Sequence, residues 1–163
     1  MITLFIGRFQ PFHNGHLKDI LEASAFSEKV IIAIGSSNIF RTPENPFTFE
    51  ERKEMIRSVI PGADPIPIPD INDDAAWVSH VGKIVGSFDI VYTGNDWVRK
   101  LFEKKRYNVR KVTLVKGISS TSIRKKILEK ENWQADVPNK VASYLEEING
   151  EGIIGASNKA LCR

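Results

Sequence analysis

The chain has 163 residues, 42% of them hydrophobic, enough to bury a sizeable core and a length that fits one compact domain better than two. Its formal charge of +3 is spread through mixed-sign segments such as Glu103-Lys104-Lys105-Arg106, a weak bias towards anionic ligands that does not by itself indicate nucleic acid. One cysteine, Cys162, rules out an intramolecular disulfide and suits a reducing cytosol, where it is expected to be an inert exposed thiol. No apolar run approaches the roughly 18 residues of a membrane span, and residues 1–6 lack the length and basic flank of a signal segment.

In chain order, short β-branched and aromatic runs at Ile2 to Ile6, Val30 to Ile34, Ala63 to Ile68, Phe88 to Tyr92 and Val109 to Val115 alternate with helical periodicity. That alternation predicts a doubly wound α/β domain: a parallel sheet whose nearly continuous apolar strands are covered by helices on both faces. Thr48-Phe49-Glu50-Glu51 is a capping box opening a helix to about Val59, stopped by Pro61-Gly62. Further helices are expected over Asp74 to Val85, Asn95 to Lys104, Thr121 to Lys130 and Pro138 to Ile148. The domain is thus drawn over 1–148, with residues 149–163 as a partly ordered C-terminal tail.

Two of the three histidines lie in "GRFQPFHNGH", directly after the first strand. In an open α/β sheet, ligands collect outside the carboxyl ends of the strands, where such a loop meets the next helix. Gly7 lets the backbone turn off the strand, Gly15 permits close approach to the helix start, and the exposed N–H groups there favour a phosphate. The imidazoles of His13 and His16 can donate to phosphate oxygens, more strongly if protonated. Backbone hydrogen bonding or a metal would also use a His-x-x-His pair, although no Cys or third nearby His supplies another metal ligand.

A second anion-binding pattern lies in "ISSTSIR", Ile118 to Arg124. Four hydroxyls there can cap a helix, or together with free N–H groups and Arg124 they can bind phosphate. Two such sites suggest one polyphosphate bridging them.

His13-Asn14-Gly15-His16 resembles the HxGH signature, and Ile118 to Arg124 the ISSTxxR signature, of the adenylyl- and cytidylyltransferase superfamily. "IGS" at Ile34 to Ser36, "NPFTFEER" from Asn45, "PDIN" from Pro69, Trp77-Val78, "YTGN" from Tyr92 and "EING" from Glu147 extend the likeness. Taken in order along nearly the whole chain, they are similar to the archaeal-type nicotinamide mononucleotide (NMN) adenylyltransferases. The resemblance implies a Rossmann-like fold, a reaction joining NMN to ATP with release of pyrophosphate, and Mg²⁺ accompanying the ATP. It also implies a cytoplasmic homo-oligomer that acts on small nucleotides, without nucleic-acid or membrane partners.

Carried onto this chain, the resemblance makes His13, His16 and Arg124 the catalytic set. ATP and phosphate contacts are assigned to Gly7, Arg8, Phe9, Gln10 and Gly15 in the first motif, and to Ser119, Ser120, Thr121 and Ile123 in the second. For NMN it implies Asp70, Ile71, Asp74 and Trp77, then Gly94 and Asn95. Trp77 has a competing reading as a core residue, since Ala76, Trp77, His80, Val81 and Ile84 share helical spacing. Asp73 and Asp74 depart from the aromatic and Asn expected there. If Asp74 faces the pyridine substituent, it should accept from a carboxamide and repel a carboxylate, favouring NMN over nicotinic acid mononucleotide. "GSSN" at Gly35 to Asn38 is a candidate adenosine contact or a simple turn.

Other readings remain at this stage: an adenylyltransferase for nicotinic acid mononucleotide, FMN or phosphopantetheine, or a nucleotide sensor without turnover. A nucleic-acid module on Lys104 to Lys116 lacks stacking aromatics beyond Tyr107.

Overall fold

The computed structural model describes residues 1–112 and 115–159. Five parallel strands run β1 (Ile2–Gly7), β2 (Lys29–Ile34), β3 (Ile66–Pro67), β4 (Ile90–Thr93) and β5 (Asn108–Lys111), in the spatial order β3-β2-β1-β4-β5. The connecting helices are α1 (Asn14–Phe26), α2 (Phe49–Val59), α3 (Asp74–Val85), α4 (Asp96–Lys104) and α5 (Ser120–Leu128), followed by α6 (Asn139–Glu147) and α7 (Gly150–Lys159). The order reverses between β1 and β4, which opens a crevice at the carboxyl ends of those strands.

Successive side chains of each strand feed two cores, because a strand's residues alternate between the faces of its sheet. Phe5, Ile32, Ile34, Ile90 and Tyr92 pack with α1, α2, α5, α6 and α7. Leu4, Ile6, Ile31, Ala33 and Val91 pack against α3 and α4. The central strands are buried on both faces, as their apolar runs predict.

The capping box at α2 forms as read: Thr48 Oγ1 accepts from Glu51 N at 3.2 Å, and Thr48 N donates to Glu51 Oε2 at 2.8 Å. The third strand is far shorter than the Ala63 to Ile68 run suggests. Prolines at 65, 67 and 69 remove every second N–H, so only Ile66 and Pro67 join the ladder, at the sheet edge. The fifth strand ends at Lys111, and part of the run expected to reach Val115 lies outside the described residues.

The segment after residue 148, expected to be a partly ordered tail, is instead helical over Gly150–Lys159 and packs on α5 and α6. Ile154 is buried in the larger core, and the Nε1–H of buried Trp133 donates to Glu151 Oε1 at 2.9 Å. Weak helical periodicity hid it because two adjacent isoleucines, Ile153 and Ile154, and one polar tether hold it down. Cys162 lies outside the described residues.

Candidate active site

A cavity of about 650 Å³ opens where β1 and β4 end, and both distant motifs face it: His13, Gly15 and His16 from one, Ser119 to Thr121 and Arg124 from the other. Two hydrogen bonds join the motifs directly. Ser120 Oγ donates to the Pro11 carbonyl at 2.9 Å, and Arg124 Nη1 donates to the Gln10 carbonyl at 2.7 Å. The convergence expected from two phosphate-binding patterns is therefore a property of the fold.

The histidines hold one another. His13 Nδ1 accepts the His16 N–H at 3.2 Å, His16 Nδ1 accepts the His13 N–H at 3.3 Å, and the rings stack with centroids 3.5 Å apart. This reciprocal cap opens α1. With both Nδ1 atoms accepting, each ring carries its proton on Nε2. Protonation, which would strengthen bonds to phosphate, is disfavoured here. Burial, only partly offset by Asp136, lowers the His13 pKa to about 4, and burial together with His13 holds His16 well below its ordinary value. The pair consists of neutral N–H donors.

Gly15 serves the histidines before any ligand: a Cβ there would lie 3.0 Å from the His13 ring. Likewise a Cβ at Gly7 would meet the ring of Phe9 at 3.1 Å. Phe9 has a left-handed backbone (φ 52°), and its ring is folded back into the core. The Gln10–Pro11 peptide is cis. The Gln10 amide is spent at both ends, donating to the Phe47 carbonyl at 3.0 Å and accepting the Phe47 N–H at 2.9 Å. Gln10 thus fixes the loop instead of offering its side chain to phosphate. Ile123 is fully buried in the core and does not border the cavity.

Arg124 is 9% exposed, and its pKa is lowered by burial and then by the nearby Arg8 charge. Two guanidiniums at one end of a cavity create the positive potential that an anion relieves. Arg8, Thr121 and Arg124 also border an adjoining cavity of about 370 Å³, to which Lys125 adds another cation.

Sequence reading gave no role to Arg52, which is wholly buried. It donates to four backbone carbonyls: Arg8 at 2.9 Å, Gly35 at 2.8 Å, Ser36 at 3.1 Å and Thr48 at 3.1 Å. Burial lowers its pKa to about 10, leaving it charged at neutral pH. It ties the loops after β1 and β2 to the start of α2. Its one signal was its place in the quoted "NPFTFEER".

Another part of the cavity, lined from the starts of α3 and α4, is aromatic and acidic. Asp70, Ile71, Asp74, Trp77, Gly94 and Asn95, all expected for the acceptor, border it. Trp77 is both of its candidate readings at once: 2% exposed, edge-on to Phe102 in the core, yet bordering the cavity. Asn38 is committed to the Asp70 backbone, accepting its N–H at 2.8 Å and donating to its carbonyl at 3.3 Å, so it straps this wall and is not free for adenosine. The sequence reading missed Trp97. It is 43% exposed, sits 5.1 Å from Trp77 centroid to centroid, and borders the same part. An aromatic two residues past "YTGN" was the available signal.

The five-stranded order, the crevice and the two motifs define the nucleotidyltransferase class. Residues 4–126 match the cytidylyltransferase-like family. The chain is 46% identical to the nicotinamide-nucleotide adenylyltransferase of Methanococcus aeolicus, over 97% of this chain and 95% of that one. With the enzyme of the same description from Thermococcus kodakarensis identity is 41%, over 90% of this chain and 83% of that one. Among solved structures, a bifunctional NMN adenylyltransferase/ADP ribose pyrophosphatase of Francisella tularensis, complexed with AMP and manganese, superposes with a TM-score of 0.70 at 26% identity. That match covers 94% of this chain but only 52% of the bifunctional one, so this chain spans about half its length. The Plasmodium falciparum nicotinic acid mononucleotide adenylyltransferase, at 11% identity and a TM-score of 0.64, shares the fold. The chain belongs to the cytidylyltransferase-like family and, within it, to the nicotinamide-nucleotide adenylyltransferases.

Proposed function

We propose that this cavity transfers the adenylyl group of ATP to the 5′-phosphate of NMN, giving NAD and pyrophosphate. The observation that carries this reading is one cavity with two unlike sets of lining groups: donors and cations from both motifs, and tryptophans and carboxylates from the starts of α3 and α4. A triphosphate suits the first and a pyridine nucleotide the second.

An oxygen of the NMN phosphate attacks the α-phosphorus of ATP, forming the new anhydride. The bond from that phosphorus to the bridging oxygen breaks, and pyrophosphate leaves with the electron pair. The attacking phosphate has its second pKa near ~6 and is largely ionised at neutral pH, so no protein base is needed and no covalent enzyme intermediate forms. Catalysis then rests on alignment and on stabilising charge on the leaving group. The Nε2–H groups of His13 and His16 supply neutral donors, Arg124 and Arg8 supply charge, and Ser119 and Thr121 border the same cavity.

The divalent cation, Mg²⁺ in this reading, enters as part of the ATP substrate and neutralises its phosphates. The motifs offer imidazoles, hydroxyls and guanidiniums, with the Asp19 carboxylate also lining the cavity, so phosphate oxygens would supply most of its ligands. Among the described residues no helix is long and apolar enough to cross a membrane. We assign the enzyme to the cytoplasm and to a homo-oligomer, exposed Leu21 and Phe40 being apolar surface that a second copy could cover.

Incubating the protein with ATP and Mg²⁺ plus NMN, nicotinic acid mononucleotide, FMN or phosphopantetheine, with products identified by mass, tests the reading. NAD and pyrophosphate are expected with NMN. A dinucleotide only from FMN or phosphopantetheine, or ATP binding without pyrophosphate release, would replace this reading with another.

A further inference from the structure

Trp97 and Asp74 come from different helices and meet at the aromatic end of the cavity. The Trp97 Nε1–H donates to Asp74 Oδ2 at 3.3 Å, while both residues are exposed and both border the cavity. Asp74 is in the first turn of α3, and the neighbouring Asp73 is already spent as the helix cap, accepting from Ala76 N at 3.0 Å. Trp97 is in the first turn of α4, where Asn95 Oδ1 accepts its N–H at 2.9 Å. Both ends of the Trp97–Asp74 bond are therefore anchored at capped helix starts. Asp70 adds another carboxylate to the cavity lining.

Resting on the adenylyl-transfer reading above, we propose that Asp74, held in place by Trp97, reads the charge on the acceptor's pyridine ring. The ring of NMN is a pyridinium cation. Carboxylates beside aromatic faces favour a cationic ring through Coulomb attraction and cation–π contact. The reduced dihydro form of NMN has a neutral ring and forfeits that attraction. Nicotinic acid mononucleotide keeps the cationic ring but places a carboxylate near Asp74 and meets repulsion. The device thus selects the oxidised carboxamide twice, against a neutral ring and against an added negative charge. Asp74 is a specificity residue, and Trp97 is a positioning residue that acts through it.

The test compares kcat/KM for NMN, nicotinic acid mononucleotide and the dihydro form of NMN, in the full chain and in two variants. Asp74→Asn keeps an acceptor oxygen and deletes the charge. It is expected to lower the preference for NMN over each competitor by at least about fivefold, mainly through KM for NMN, with KM for ATP constant. Trp97→Phe keeps a ring and deletes the N–H, and should shift both preferences in the same direction by less. Unchanged preferences in Asp74→Asn overturn the proposal. A gain confined to nicotinic acid mononucleotide overturns ring-charge reading, leaving only substituent repulsion. Unchanged preferences in Trp97→Phe remove Trp97 from the device. Failure of the unaltered chain to make NAD from ATP and NMN would instead overturn the adenylyl-transfer reading itself.

Discussion

At the phosphate end of the cavity, the motif side chains are tied to backbone: the histidines cap one another, Ser119 caps α5, and Arg124 grips the Gln10 carbonyl. At the aromatic end, the defining contacts run between side chains of separate helices, Trp97 to Asp74 and Trp97 to Trp77. The first arrangement is stiff and presents donors of fixed direction; the second is exposed and tunable. Damage to the first should therefore appear in turnover, and damage to the second in the choice and affinity of acceptor.

The strongest way to break that contrast is at the phosphate end. Arg124→Ala and His16→Ala are each expected to lower kcat more than about tenfold with the protein still folded. Near-normal turnover in steady-state assays would take that residue out of the mechanism. Arg52→Met strands four carbonyl oxygens in a buried site and should cost about 4 kcal/mol in chemical denaturation. It should also raise KM for ATP, because the loops carrying Arg8 and Gly35 lose their tie.

The histidine pair makes stability depend on pH. With its pKa lowered from 6.5 to about 4, His13 stays neutral in the fold while the unfolded chain takes up a proton below pH 6.5. Its contribution is therefore fully present above pH 6.5 and is lost progressively as pH falls towards 4. The loss is about 3 kcal/mol for His13, and His16 acts in the same direction. Denaturation midpoints between pH 7 and 4.5 measure this, and His13→Asn, which can still cap α1, should flatten the dependence. The smallest effect sharpens the aromatic end. Asn95 Oδ1 caps α4, accepting from Trp97 N and Val98 N. Asn95→Ala should cost about 1 kcal/mol, whereas Asn95→Asp keeps the cap. A rise in KM for NMN in Asn95→Asp, without loss of Tm, would show that the amide also serves the acceptor.

What could be read in advance followed the same division. The sheet was legible because its central strands, covered on both faces, are continuous apolar runs, and α2 because its cap is local. The edge strand β3 was overestimated because proline cancels ladder bonds that β-propensity alone suggests. Helix α7 was missed because its partners lie outside its own sequence: the core that buries Ile154, and Trp133, which donates to Glu151. In the site, Gly7 and Gly15 were read as a turn and a ligand approach, and the structure adds that each makes room for a ring of its own motif. Gln10 was read as a ligand contact, and Asn38 as either an adenosine contact or part of a turn, because nothing local reveals that Phe47 and the Asp70 backbone consume their amides.

By itself, the sequence determined the alternation of strands and helices, the two phosphate-binding motifs and the family they belong to, because periodicity, caps and contiguous motifs are short-range properties. Only the tertiary structure decided that the histidines are neutral donors, that Arg52 knits the site together, and that Trp97 meets Asp74. Desolvation, buried hydrogen bonding and side-chain pairing depend on which distant segments the fold packs together, and no local pattern encodes that.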